Sequence, residues 1–292
     1  MNKNIVLLDY HNLMYRVLYV SEFDENNMGN EDFSYWKHLM INSIFHILRE
    51  FSPDEIVVAL DSKSPWRKKY LKEYKSNRKE KRDKSNIDFK KFYDVSNKFL
   101  YDMRNVITNF KYVYVDTAEA DDVIAVLIKE KYSPRDNKVV ISSDKDMHQL
   151  LKFDNVKIFN PIEKKFKSPI NCEKELILKI ITGDRSDNIP AIKERCGIKT
   201  AEKILNEGLE EFFEREEDGE TYRFNYQRNK MLIDFDSIPH EVYNDILIEY
   251  ENNKIKKINL NNFEKFLVDN KCLKLSKEIS EHRELLRKLD GV

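Results

Sequence analysis

The sequence predicts an α/β fold, a mostly parallel sheet with helices on both faces followed by a smaller helical region. Three observations carry that prediction. Short apolar runs recur at residues 5–8 (IVLL), 56–60 (IVVAL), 112–115 (YVYV), 139–141 (VVI) and 156–159 (VKIF), and their length and β-branching are those of buried strands. Helical stripes lie between them: Met40, Ile44, Ile47, Leu48 and Phe51 form one, and Phe89, Phe92, Phe99, Met103 and Val106 another. After about residue 172 the strand-like runs stop.

Each element follows from its neighbours. Strands that alternate with helices must be joined by crossovers, which favours parallel pairing and helical cover on both sides. Beyond residue 172 the clearer helical segments are 173–181, 200–205, 241–250 and 273–289, and the charged stretch 207–220 is expected to be an exposed, mobile loop. This places a main domain at residues 1–182 and a helical C-terminal region at 183–292. Neither an internal repeat nor a low-complexity linker interrupts the chain.

Composition excludes several classes. With 41% hydrophobic and 35% charged residues the chain reads as globular, not disordered. No apolar run approaches the roughly 18 residues that a bilayer crossing needs. Met1-Asn2-Lys3-Asn4 leads straight into the first strand with no leader pattern, so a cytoplasmic protein is expected. Cys172, Cys196 and Cys272 form no CxxC pair, which argues against disulfides and zinc. The formal charge is only −1, but residues 63–91 hold thirteen lysines and arginines against four acids, a local +9. Such a stretch attracts phosphate backbones.

The chemistry lies in the acids. Three predicted strands end at Asp9, Asp61 and Asp144, and strand carboxyl ends line the ligand crevice of an open parallel sheet. Asp146 follows two residues later. Glu119-Ala120-Asp121-Asp122 opens a helix after the third strand run, and Asp184 and Asp187 stand three apart after the 173–181 helix. For any one of these acids, helix capping or an Asx-turn is the ordinary role. Taken together they would repel, at about 1 to 4 kcal/mol per pair at 4 Å, and hard divalent cations offset that repulsion. Carboxylate and water oxygens suit Mg²⁺ or Mn²⁺, and no His or Cys cluster suggests zinc. Beside a basic stretch, two such ions point to phosphodiester hydrolysis by in-line displacement, without a covalent intermediate. No GxSxG, GxxxxGK[ST] or HExxH motif offers another chemistry.

The order Asp9, Asp61, Glu119-Ala-Asp121-Asp122, Asp144-Lys-Asp146 and Gly183-Asp184-Arg-Ser-Asp187-Asn188 resembles the acid ladder of the PIN-like 5′-nuclease superfamily, which contains flap endonucleases and phage 5′-exonucleases. The likeness spans almost the whole chain. Asn225-Tyr226, Asn229-Lys230 and residues 232–239 (LIDFDSIP) resemble its T4-type phage ribonuclease H branch. The resemblance implies a first metal surrounded by Asp9, Asp61, Glu119, Asp121, Asp122, Asp144 and Asp146, some through water, and a second held by Asp184 and Asp187. It implies two Mg²⁺ ions, with Mn²⁺ as a substitute. Glu73-Tyr74-Lys75-Ser76-Asn77-Arg78 resembles the family's arch motif, which makes Lys75 and Arg78 catalytic cations beside Asp144 and makes Tyr74 a base-stacking residue. Arg67 and Lys68 join them as nucleic-acid-binding cations. Residues 197–201 (GIKTA) resemble the second turn of a helix–two-turn–helix element, so Lys199 and Thr200 are expected at duplex phosphates, the alternative for Thr200 being a helix cap. A potassium ion near Gly197 is part of that pattern, but Arg195 stands where the turn's first glycine would be, and Tyr10 follows Asp9 where glycine is frequent.

The implied activity is cutting from 5′ ends of RNA–DNA hybrids and duplex DNA, and at 5′ flaps, by a monomer that removes RNA primers in phage replication. A single-strand-binding protein or sliding clamp is the kind of partner implied. The competing readings are a PIN-type single-strand ribonuclease and a catalytically silent nucleic-acid-binding module.

Overall fold

The computed structural model describes residues 2–22, 33–168, 171–277 and 279–290. Six strands form one sheet in the order β3-β2-β1-β4-β5-β6: β1 (Asn4–Asp9), β2 (Glu55–Leu60), β3 (Lys111–Tyr114), β4 (Asn137–Ile141), β5 (Val156–Asn160) and β6 (Lys165–Lys167). The first five pair in parallel, and only β6 runs antiparallel to β5. The five expected strands are all present. The sixth is the three-residue Lys-Phe-Lys edge, too short and too charged to show a strand pattern.

Alternation along each strand divides the core. Val6, Leu8, Ile56, Val58 and Leu60 face one layer, built by helices α1 (Tyr10–Glu22), α2 (Ser34–Phe51) and α4 (Phe89–Val106). Ile5, Leu7, Val57 and Ala59 face the other, where α5 (Ala120–Glu130) packs. Period-2 strands with both faces apolar are what a doubly covered sheet requires. The short α3 (Asn77–Asp83) lies within the basic stretch, after a 3₁₀ turn at Trp66–Lys69.

The chain runs outward from β1 to β2 to β3, then crosses back to place β4 on the far side of β1. The order therefore reverses between β1 and β4, and the crevice at their carboxyl ends is the switch point at which such sheets bind ligands.

The second half contains α6 (Cys172–Thr182), α7 (Ile198–Glu207), α8 (Leu209–Arg215), α9 (Gly219–Ile233), α10 (His240–Asn252), α11 (Leu260–Asp269), α12 (Leu273–Lys277) and α13 (Ile279–Lys288). One expectation is corrected. Residues 207–220 are not a loop throughout, because Phe212 and Phe213 are buried and anchor α8 in a cluster with Ile181, Ile192 and Ile204. Residues 273–277 and 279–288 are helical, in the segment where a helix was expected, and Glu278 lies outside the described residues. The hydrophobic layers also cross the expected 182/183 boundary: Phe263, Phe266, Leu267, Leu286 and Leu289 lie in the same core as Val6, and Ile246 and Tyr250 in the same core as Ile5. No helix among the described residues is long and apolar enough to cross a membrane, and the three cysteines are free.

Candidate active site

Asp9 closes β1 and is held from two sides. Its Oδ1 accepts the Asn12 N–H at 3.1 Å, and its Oδ2 accepts the Ser142 hydroxyl at 3.0 Å. The Ser142 oxygen in turn accepts the Asp144 N–H at 3.1 Å, joining the ends of β1 and β4. Asp61, just past β2, accepts the Ala120 N–H at 2.8 Å, and Asp144 accepts the Asp146 N–H at 2.9 Å. Crowding follows. Burial, reinforced by the charges of Asp61 and Asp144, pushes the Asp9 carboxyl from the usual 3.8 up to about 7. Burial likewise raises Asp146 to about 6, with Lys179 opposing and Asp144 and Asp184 adding to the rise.

Asp184 and Asp187 sit on a tight loop after α6. The loop closes through paired Asp184–Ile189 backbone bonds of 2.9 and 2.8 Å. Gly183 permits this with φ +69°, since a Cβ there would lie 2.3 Å from the Ile189 carbonyl oxygen. Lys179, one turn back on α6, pairs with Asp184 at 2.7 Å and also with Asp146. Burial alone would raise Asp184, but the Lys179 charge and the Ser186 hydrogen bonds outweigh it and hold the group at about 2.

The Glu119–Asp122 segment combines an acidic group with buried ion pairs. Oxygens of Glu119, Asp121 and Asp122 lie within 4.8 Å of one another, a spacing that a metal ion could bridge. Asp122, however, is fully buried and already committed. Arg67 donates to both of its oxygens at 2.8 Å, Trp66 Nε1 donates at 3.0 Å, and the Glu119 N–H completes a capping box at the start of α5. Three of these donors share Oδ2 and one meets Oδ1, so Asp122 caps and anchors α5 while Oδ1 keeps acceptor capacity. Glu119 accepts from Arg67 at 2.9 Å, from Tyr74 at 2.9 Å and from Lys75. Burial raises its carboxyl, yet the Lys75 and Arg67 cations prevail and hold it at about 2. Burial pushes Asp121 well above its usual value, against the pull of Arg67.

Two arch expectations are also corrected. Arg67 is only 2% exposed and donates to the Leu232 carbonyl as well as to the acids, so it is an internal tie and not a nucleic-acid contact. Tyr74 is 3% exposed, its hydroxyl donating to Glu119 at 2.9 Å and Asp187 at 3.2 Å, and a ring so enclosed cannot stack on a base. Lys75 and Arg78 do reach the acids: Lys75 pairs with Glu119 and lies 3.6 Å from Asp187, while Arg78 meets Asp187 at 2.6 Å. Lys68 is exposed, and its ammonium donates to the Lys63 carbonyl.

Lys199 and Thr200 lie in the first turn of α7, whose N-cap is Gly197 with no side-chain bond, so the cap considered for Thr200 does not form. Arg195 takes the left-handed conformation of the glycine it replaces, φ +53°, which keeps a turn there despite the departure.

Lys179, Ser142 and Asn12 were not singled out from the sequence. Lys179 had one legible signal, a cation inside the otherwise apolar 176–181 run (LILKII) just before Asp184. Ser142 and Asn12 had none, since a polar residue beside a strand end is common.

The donor set is all oxygen. Among the described residues no lysine or arginine ion pair reaches Asp9, Asp61 or Asp144. His11, beside Asp61, accepts the Asp61 N–H through Nδ1 at 3.0 Å, and burial lowers its pKa. Uncompensated carboxylates held close without a soft donor fit a hard divalent cation.

The crowding is testable without activity. The folded protein keeps the Asp9 proton up to about pH 7, whereas an unfolded chain releases it near 3.8. Asp9 ionisation therefore removes stability as pH rises across that window, by about 4 kcal/mol at most, while Glu119 and Asp184 stay ionised throughout it. In a chelator, wild type should lose more stability between pH 5 and 8 than Asp9→Asn does, as measured by urea denaturation. Equal losses would mean that burial and the neighbouring acids do not hold Asp9 protonated.

An α/β sheet that gathers carboxylates at its switch point, with cations from a basic segment among them, has the form of a metal-dependent nuclease. The family description "5′-3′ exonuclease, N-terminal resolvase-like domain" matches residues 4–186. The chain is 30% identical to ribonuclease H of Enterobacteria phage T4 over 87% of this chain and 88% of that protein. It is 26% identical to flap endonuclease Xni of Shewanella denitrificans over 69% of this chain and 77% of that one. Its fold superposes on the bacteriophage T5 flap endonuclease, solved as a pseudo-enzyme–product complex with DNA and metal ions, with TM-score 0.66 at 22% identity, covering 85% of this chain and all of that one. A T5 5′-exonuclease structure with bound zinc gives 0.65 at 21% identity, covering 86% and 99%. The chain belongs to the 5′-3′ exonuclease family of 5′-nucleases, the group that includes T4 ribonuclease H and the flap endonucleases.

Proposed function

We propose that this enzyme hydrolyses phosphodiester bonds at the 5′ ends of RNA–DNA hybrids and duplex DNA and at the base of 5′ flaps, using two Mg²⁺ ions, and that it removes RNA primers during phage DNA replication. The observation that supports this reading is the electrostatic coupling of Asp9 with Asp61 and Asp144 and of Asp146 with Asp144 and Asp184, with Lys179 bridging Asp146 and Asp184 and with Lys75 and Arg78 reaching Asp187. Asp9, Asp61, Glu119, Asp121, Asp122, Asp144 and Asp146 would surround the first ion, some through water, and Asp184 and Asp187 would hold the second. Such ions supply a water acidic enough to attack at neutral pH and a positive charge for the leaving oxygen.

The chain's own groups do the rest. Ser142 and Asn12 orient Asp9, and the Ala120 N–H orients Asp61, so the acids are aimed before substrate arrives. Lys75 and Arg78 stand where they can oppose charge building on the scissile phosphate. Exposed Lys68, Lys79, Lys84 and Lys199 add attraction to the backbone that does not depend on sequence.

The direct test compares Mg²⁺-dependent cutting of a 5′-flap duplex, an RNA–DNA hybrid and a single-stranded RNA. Preference for the single strand would favour a PIN-type ribonuclease, and no cutting of any substrate would favour a binding module. Lys75→Ala is expected to lower kcat by about 100-fold or more with a much smaller change in KM. A loss confined to KM would make Lys75 an ordinary phosphate contact.

A further inference from the structure

Lys179 occupies a position that the proposed roles leave unexplained. Its side chain is 26% exposed, and its ammonium bridges Asp146, which follows β4, and Asp184, from the loop after α6. Those two acids belong to different groups in the metal assignment above, on which this inference rests. Asp146 and Asp184 also act on one another electrostatically, with the ammonium between them. The segment that carries the lysine is anchored: Ile180 and Ile181, the next two residues, are buried, and the Asn229 side chain donates to the Ile180 carbonyl at 2.9 Å.

We propose that Lys179 is a specificity-determining counter-cation that competes with metal ions for Asp146 and Asp184 and thereby makes the second position selective for divalent over monovalent cations. The physical case is charge for charge. A sodium or potassium ion that replaced the ammonium would bring no additional charge, and it would have to outcompete a group tethered beside its acids at high effective concentration. A divalent ion brings one further positive charge to the same oxygens, so it gains where a monovalent ion cannot. The lysine also relieves the repulsion between the acids before any ion arrives, which raises the concentration of divalent ion needed to fill the position.

Three variants separate this from a structural role. Lys179→Met and Lys179→Gln remove the charge, and Lys179→Arg keeps it. Mn²⁺ binding would be measured by electron paramagnetic resonance and by thermal shift at pH 8, with and without added KCl. Both uncharged variants are expected to bind the weaker Mn²⁺ about tenfold or more tightly than wild type at low salt. KCl should weaken that binding in them far more than in wild type, and Lys179→Arg should stay close to wild type.

Unchanged or weaker Mn²⁺ binding in the uncharged variants would overturn the proposal. Should neither fold, wild-type protein suffices: the ¹⁵Nζ signal of Lys179 is expected to shift as Mg²⁺ saturates the protein, and a signal unmoved at saturation overturns the proposal equally. Cleavage of the 5′-flap duplex by the same wild-type preparation keeps the two readings apart. Competition without cleavage would refute the nuclease reading alone, and cleavage without competition would refute this one alone.

Discussion

Asp144→Asn and Asp61→Asn are each expected to lower cleavage of a 5′-flap duplex by more than about 100-fold while leaving binding of the same duplex nearly unchanged. Asp61 follows β2 and Asp144 follows β4, the two strands that flank β1 in the sheet. Neither has a lysine or arginine partner among the described residues, so neither contributes an ion pair whose loss would unfold the chain. Asparagine keeps the shape and one acceptor oxygen, so the backbone bonds to Ala120 and Asp146 can persist while the charge that a metal requires is lost. Single-turnover cleavage and a filter-binding titration at equal Mg²⁺ measure the two quantities. Turnover retained in both variants would remove the metal-centre interpretation, and a parallel loss of binding would make these acids part of the nucleic-acid surface.

The second large effect is on stability. Arg67→Ala should destabilise the protein by about 3 to 5 kcal/mol, the cost of leaving buried carboxylates without their cation. Arg67 is almost fully enclosed and ties Asp122, Glu119 and the Leu232 carbonyl into one network that joins the arch, α5 and the end of α9. Urea denaturation measures the loss directly. A change below about 1 kcal/mol would place Arg67 among ordinary surface cations, and the original expectation that it touches nucleic acid would return.

Those two residues illustrate how differently the chain declares itself. Asp61 was legible because a β-branched run ends on it, and strand ends in a parallel sheet have a known destination. Arg67 was misread because it sits among exposed cations in a stretch of net charge +9, and nothing local distinguishes the one that turns inward. Tyr74 was misread in the same way: its hydroxyl finds Glu119 and Asp187, residues 45 and 113 positions away. Asp122 was legible as an acid opening a helix, whereas its ion pair with Arg67 was not. The charged 207–220 stretch hid a buried Phe212–Phe213 pair, because seven residues are too few for a helical stripe to stand out against so many acids.

Local pattern alone determined the alternation of strand and helix, the five parallel strands and the placement of acids at their ends, because side-chain period and strand-end position are properties of neighbouring residues. Tertiary structure alone decided which cation answers which acid: Arg67 for Asp122, Lys75 for Glu119, Arg78 for Asp187, and Lys179 for Asp146 and Asp184 together. Charge pairing is set by distance in space, and a lysine or arginine looks the same in sequence whether it faces water, phosphate or a buried carboxylate.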